Sequence, residues 1–277
     1  MDAHDDKGAE LYLELLKRCL TRYGFGDSWT PVEAPPTGWR ALAYKQIVHR
    51  TNRAIGYKRV SFDADARANG RDWPVEAETM IGLKRLENIR ECVTDVVKGG
   101  VPGDLIETGV WRGGATIFMR AILAAYGDTE RAVWVADSFE GLPKPSGQYE
   151  ADQGDKHWTF SDLAVSEDEV RANFERYGLL DDQVRFLKGY FQDTLADAPI
   201  EQLAVARLDG DMYESTIVAL DALYPKLAVG GYLIVDDYGA IAGCRQAVDD
   251  YRREHGIAEP LVEIDWTGVY WKRRSLS

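Results

Sequence analysis

Apolar and polar positions change their rhythm twice along this chain. Over residues 8–23 the leucines Leu11, Leu13, Leu15, Leu16 and Leu20 recur at helical spacing, so the pattern predicts an amphipathic helix. A Pro/Trp/Gly-rich stretch, Gly24 to Arg40, breaks it and reads as a loop or lid. Residues 41–72 are polar and locally basic (Lys45, His49, Arg50, Arg53, Lys58, Arg59) and show no clear period. Helical spacing returns after Pro74 and runs through Met80 and Arg90 to about Val97.

From Asp104 the chain alternates short apolar runs with amphipathic stretches. Strands are predicted at 104–108, 132–136, 184–188, 203–208 and 231–236, and helices at 115–126, 167–177, 215–227 and 243–255. The first strands are nearly continuous apolar runs, the mark of a parallel sheet covered on both faces. Leu261 to Ile264 and Gly268 to Trp271 flank Asp265-Trp266-Thr267, which reads as a hairpin. The predicted fold is α/β: a Rossmann-like, mostly parallel sheet of seven strands ending in an antiparallel hairpin, with an N-terminal helical and lid segment. The expected division is 1–72 for that segment and 73–277 for the sheet domain.

The bulk numbers narrow the partners. With 277 residues, 45% of them hydrophobic, the chain can bury one large core, or one core plus a small appendage. A net charge of −13 argues against a nucleic-acid partner, which needs a basic face. No apolar run approaches the roughly 20 residues that cross a bilayer, and the acidic N-terminus does not read as a signal peptide. Cys19, Cys92 and Cys244 are widely spaced and odd in number, which suits a reducing cytoplasm rather than a disulfide framework or a zinc site.

In an open parallel sheet, ligands bind beyond the carboxyl ends of the strands. Glu107, Asp137, Asp209, Asp236 and Asp237 all fall there. Glu107 precedes the turn Gly109-Val-Trp-Arg-Gly113-Gly114, spaced G-x-x-x-G-G rather than as a dinucleotide fingerprint. A carboxylate beside a helix N-terminus would repel a pyrophosphate but attract an ammonium or sulfonium group. This E-x-G-x-x-x-G turn resembles the one with which class I methyltransferases hold the methionine end of S-adenosylmethionine (SAM). Asp137 could accept two ribose hydroxyls or simply cap the next turn. Phe191 and Gln192 could stack on and read an adenine, or belong to an ordinary surface loop.

Asp209 and the pair Asp236–Asp237 end neighbouring predicted strands, about 5 Å apart in such a sheet. Carboxylates that close repel one another unless a hard divalent cation joins them. Asp211 or Glu214 instead reads as a cap of the helix that follows.

Taken together these words resemble a family: the metal-dependent sugar O-methyltransferases of antibiotic biosynthesis, typified by macrocin, mycinamicin and noviose O-methyltransferases. The matching stretches are Thr79 to Leu86, Leu105 to Ala115, Asp137 to Gly141, Leu163 to Ser166, Leu208 to Thr216, Ile234 to Tyr238 and Gly268 to Trp271. The resemblance implies SAM bound by Met80, Glu107, Gly109, Trp111, Asp137, Ser138, Phe191 and Gln192. It implies Mg²⁺ (or Mn²⁺) on Asp209, Asp236 and Asp237, with His157 as the base or Asp209 as ligand and base together. The implied acceptor is a sugar hydroxyl of a glycosylated natural product. Nucleic acid and membrane partners are not expected; a cytoplasmic homo-oligomer, dimer or larger, is.

A more distant likeness is to catechol O-methyltransferase, which places a lysine three residues after its first metal ligand; Met212 stands at that position here. Catechol-type methylation and a catalytically silent SAM-binding scaffold are therefore the alternatives. The N-terminal segment holds Trp29, Trp39, Tyr44, Tyr57, Arg59 and Trp73, and such aromatic residues suit a cover over a large acceptor.

Overall fold

A computed structural model of the chain describes residues 3–31, 42, 43, 46 and 57–275. The first helix, α1 (Ala3–Leu20), starts and ends earlier than its leucine pattern predicts. Leu13, Leu16 and Leu20 form the buried stripe, with Ala9 one turn before it, whereas Leu11 and Leu15 point outward. The i, i+3, i+7 spacing fits one face of a helix; the two outlying leucines fall beyond it. A small antiparallel ribbon follows, β1 (Ser28–Pro31) with β2 (Tyr57–Val60), and then a short helix, α2 (Ala64–Ala68), capped by the Asp63 carboxylate.

The helix expected after Pro74 begins later, as α3 (Gly82–Lys98). A close approach decides this start. Gly82 has φ +74°, and a Cβ there would stand 2.4 Å from the Gly70 nitrogen. Residues 75–81 stay non-helical, and Thr79 and Met80 face a cavity described below.

The rest alternates as its pattern predicts, with ends displaced by a residue or a few. In chain order come β3 (Asp104–Thr108), α4 (Gly114–Ala125), β4 (Val133–Asp137), α5 (Glu167–Arg176), β5 (Val184–Lys188), α6 (Phe191–Thr194) and β6 (Leu203–Leu208). They continue with α7 (Tyr213–Leu223), β7 (Leu227–Val235), α8 (Ala242–Glu254), β8 (Val262–Glu263) and β9 (Val269–Lys272). The seven-stranded sheet has the order β5-β4-β3-β6-β7-β9-β8. Its first five members are parallel, while β9 runs antiparallel to both β7 and β8. The hairpin therefore adds an antiparallel edge to a doubly wound sheet.

Alternate residues of each central strand feed opposite faces. Leu105 shares one buried core with Leu13 of α1, Leu86 and Ile89 of α3, Phe118 of α4 and Phe174 of α5. Ile106 packs with α7, α8 and β9 through Leu220, Leu223, Tyr251 and Trp271. Because α1 shares the first of these cores, the N-terminal helix is anchored on the sheet domain. Cys19, Cys92 and Cys244 are unpaired. Among the described residues, no helix is long and apolar enough to cross a membrane.

Candidate active site

The carboxyl ends of β3, β4, β6 and β7 open onto a cavity of about 310 Å³. All the site residues singled out in the sequence line it: Met80, Glu107, Gly109, Trp111, Asp137, Ser138, His157, Phe191, Gln192, Asp209, Asp236 and Asp237. Among the aromatic residues named for the N-terminal segment, Trp73 lines it too. Trp39 and Tyr44 lie outside the described residues, as does the side chain of Tyr57. Trp29 is exposed on β1, and Arg59 pairs with Asp27 beside it.

Glu107, one residue before the end of β3, lies directly beside Arg207 of β6, to which it is register-paired. Its Oε1 accepts from the Arg207 guanidinium, and its Oε2, although buried, has no partner. Burial pushes its carboxyl up to about 8 against the pull of Arg207, while Asp209 and Asp236 add to the rise. An unpartnered buried carboxylate oxygen is costly. A cationic group in the cavity would satisfy it.

The turn after Glu107 is shaped by glycine. Gly109 has φ +81°, and a Cβ there would lie 1.8 Å from the Asp209 carbonyl oxygen, so only glycine lets the β3 and β6 ends meet. Asp137, at the end of β4, ties this turn down. Its Oδ2 accepts from the Val110 N–H at 2.8 Å and its Oδ1 from the Phe139 N–H at 2.7 Å. Oδ1 also takes a long bond from the Ser138 hydroxyl at 3.5 Å, and the Trp111 N–H contributes as well. Burial raises the Asp137 carboxyl despite these bonds. Trp111, Phe139 and Asp211, close behind three strand ends, all adopt left-handed backbone that side chains other than glycine's rarely take.

Asp209, Asp236 and Asp237 each place a carboxylate oxygen within 4.8 Å of the others, a ligand set suited to one hard divalent cation. Counter-charge is supplied from behind. Arg207, 1% exposed, donates to Asp209 at 2.8 Å and to Asp236. Arg85 of α3 donates to the other Asp236 oxygen and pairs with Asp265 at 3.1 Å. The positive charge is still outnumbered. Burial, with Asp236 adding to it, pushes Asp209 up to about 6, and burial with Asp211, Asp209 and Asp236 raises Asp237 well above the carboxylate range.

The cap expected from Asp211 or Glu214 is supplied by neither; Asp211 lies before the Met212 cap position. Its N–H donates to Asp237 Oδ2 at 3.2 Å, it lines the cavity, and burial beside Asp209 pushes it up to about 7. Glu214 does not cap either; its carboxylate accepts from the Ser146 N–H. The cap of α7 comes from Asp152, which accepts from Tyr213 N–H at 2.8 Å and Glu214 N–H at 2.9 Å. A cap supplied from so far back in the chain leaves no local signature. Arg85, Arg207 and Asp265 were missed as well. Lone charges in a helix or strand pattern read as solvated, and only the fold buries these.

His157 sits in the polar insertion between β4 and α5. Its Nδ1 lies 2.6 Å from Asp155 Oδ2, and Asp155 Oδ1 accepts from the His157 N–H at 2.8 Å. With Nδ1–H given to a carboxylate, Nε2 is the ring nitrogen left with a lone pair. His255, by contrast, turns its Nδ1 to the Tyr251 carbonyl, away from this cavity.

The family model for macrocin O-methyltransferase matches residues 9–273. The chain belongs to the macrocin O-methyltransferase family. It is thus an O-methyltransferase on the Rossmann-like fold that its sheet displays. It is 59% identical over 270 residues to the 8-demethyl-8-(2,3-dimethoxy-alpha-L-rhamnosyl)-tetracenomycin-C 4'-O-methyltransferase of Streptomyces olivaceus, covering 97% of this chain and 94% of that one. It is 55% identical over 234 residues to the demethyldecarbamoylnovobiocin O-methyltransferase of Streptomyces niveus, covering 83% and 88%. The solved structure of the O-methyltransferase NovP superposes with a TM-score of 0.83 at 49% identity, over 96% of this chain and all of that one.

Proposed function

We propose that this enzyme transfers the methyl group of SAM to a sugar hydroxyl of a glycosylated natural product, with Mg²⁺ or Mn²⁺ on Asp209, Asp236 and Asp237. The observation that carries the reading is the shared cavity: three clustered carboxylates stand one buried arginine away from the unpartnered oxygen of Glu107. A rhamnose-type sugar is the favoured acceptor, since the tetracenomycin relative is named for a rhamnosyl substrate.

The residues divide the work. Glu107 Oε2 accepts from the ammonium group of the methionine moiety. The Asp137 carboxylate, with Ser138 beside it, would take the ribose hydroxyls in place of its long Ser138 bond. Phe191 stacks on the adenine and Gln192 hydrogen-bonds its edge, while Met80, Gly109 and Trp111 wall the methionine end. When bound, the divalent cation acidifies the acceptor hydroxyl. His157 Nε2 would take the hydroxyl proton as the oxygen bonds to the methyl carbon and the S–CH₃ bond breaks, releasing S-adenosylhomocysteine; Asp209 is the second candidate for that proton. Met212 is buried and has no titratable group, so it cannot act as the base of the catechol-type arrangement. The segment 1–72 is assigned to covering the acceptor and 73–277 to methyl transfer.

The test uses labelled SAM with a rhamnosylated tetracenomycin, a novobiocin precursor and free catechol. Transfer to a glycoside, lost in chelator and restored by Mg²⁺, is expected. Full activity in excess chelator would reject the metal, and faster transfer to catechol than to either glycoside would reject the sugar acceptor.

A further inference from the structure

The hairpin between β8 and β9 carries Trp266, which the sequence presents only as a turn residue. In the structure its ring lines the same cavity as Asp236, Asp237 and His157, and 45% of the residue remains exposed. A large apolar ring left open at a cavity mouth is a binding feature when it is also held still. Trp266 is held still. Its Nε1–H donates to the Asn69 carbonyl at 2.8 Å, so its one polar side-chain atom is already used; the Arg71 guanidinium lies 5.9 Å from the ring centroid, and the remaining π surface is what the ring offers. The turn beneath it is closed by Asp265 Oδ1, which accepts from the Thr267 N–H at 3.0 Å and the Gly268 N–H at 2.9 Å.

The same turn is keyed to the acid cluster. Thr267 Oγ1 donates to the Asp236 carbonyl at 2.9 Å, and Gly239 N–H donates to the Thr267 carbonyl at 2.8 Å. Arg85 bridges Asp265 to the Asp236 carboxylate. A Cβ on Gly239 would stand 2.4 Å from the Trp266 carbonyl oxygen, which shows how tightly the turn sits on the loop after β7. Trp73, 55% exposed, lines the same cavity.

We propose that Trp266 is the stacking platform for a planar aromatic aglycone, held in fixed register to the carboxylates over which the sugar is methylated. A rigid indole with its N–H satisfied recognises a flat, uncharged ring system and gives no hydrogen bond to a polar one. The platform rests on the sugar-methyltransferase reading for its role, though not for its ligand chemistry.

The probes are 2-naphthyl α-L-rhamnoside and methyl α-L-rhamnoside, which share the sugar and differ in the flat group. Trp266→Ala is expected to raise KM for the naphthyl glycoside relative to the methyl glycoside roughly 10-fold, the ratio equivalent to about 1.4 kcal/mol. Trp266→Phe should recover most of that ratio. Calorimetry with S-adenosylhomocysteine-loaded protein gives a readout independent of turnover: the variant should lose affinity for the naphthyl glycoside selectively. An equal effect on both glycosides, or none on either, overturns the platform. If wild-type protein methylates neither probe but the selective loss of binding remains, the platform stands and the sugar-methyltransferase reading falls.

Discussion

Arg207 and Glu107 face one another across neighbouring parallel strands, and one guanidinium ties Glu107 to Asp209 and Asp236 of the acid cluster. Removing that cation would leave three carboxylates with less compensation in a water-poor site. Arg207→Met should therefore destabilise the fold by about 3–5 kcal/mol, the range found when one partner of a buried ion pair is deleted. Urea unfolding monitored by circular dichroism measures it. Arg207→Lys should lose less, and a Met variant within about 1 kcal/mol of wild type would contradict the account.

Metal-free protein should lose stability as pH rises. Glu107 is pushed up to about 8, Asp211 to about 7 and Asp209 to about 6. A carboxyl raised in the folded state contributes stability that is fully present below its unfolded value and lost as pH climbs through the folded value. In chelator, Tm should fall between about pH 5 and pH 8. MgCl₂ should raise Tm more at pH 8 than at pH 5.5, because fewer protons then compete for the cluster. A Tm in chelator that rises across this window would refute the assignment.

Asp237 is a cleaner probe of the cation than Asp236, whose two oxygens also serve Arg85 and Arg207. Asp237→Asn removes a charge while disturbing one weak backbone contact. Its turnover should drop by at least about 10²-fold, the scale of losing an electrostatic stabiliser at a reacting centre. Its SAM affinity by calorimetry should stay close to wild type. Equal loss of both would mean that Asp237 shapes the whole cavity.

Asp137→Ala should weaken SAM binding by about 1.5–3 kcal/mol, the value of hydrogen bonds to a charged group. Part of that loss has a second origin, since Asp137 also holds the Val110 N–H in the glycine turn. Asp137→Asn keeps an acceptor for that N–H and should lose less. Unchanged affinity in a folded Ala variant would remove Asp137 from the cofactor site.

His157→Ala is expected to lower turnover by about 10²–10⁴-fold, the usual contribution of a general base. Asp155→Asn should lower it less, by freeing the ring that Asp155 orients. A much smaller loss in the Ala variant would shift the proton to Asp209.

The sheet was legible because β3 and β6 are buried on both faces and their apolar runs show it, even with Glu107 and Arg207 inside them. The acids at the strand ends were legible for a related reason: a parallel sheet brings its carboxyl ends to one side. What stayed hidden depends on partners distant in sequence. Residues 75–81 carry helical spacing, yet the packing of Gly82 against Gly70 delays the helix and frees Met80 for the cavity. Asp211 lies one residue before the cap position, Met212, and its left-handed backbone turns it toward the acid cluster, while Asp152 takes the cap. Arg85 looks like one more charge on an amphipathic helix until the hairpin acid Asp265 and Asp236 close around it.

That borrowed cap constrains how acceptor preference can be redesigned. The insertion carrying His157 looks like a cassette to be exchanged between relatives. Yet Asp152, inside it, seals the start of the helix that directly follows the acid-bearing loop of β6. A chimaera spliced on either side of the insertion inherits an unsealed helix unless the donor segment brings an equivalent carboxylate at the same place. The splice should therefore be made within the insertion, leaving Asp152 with the host.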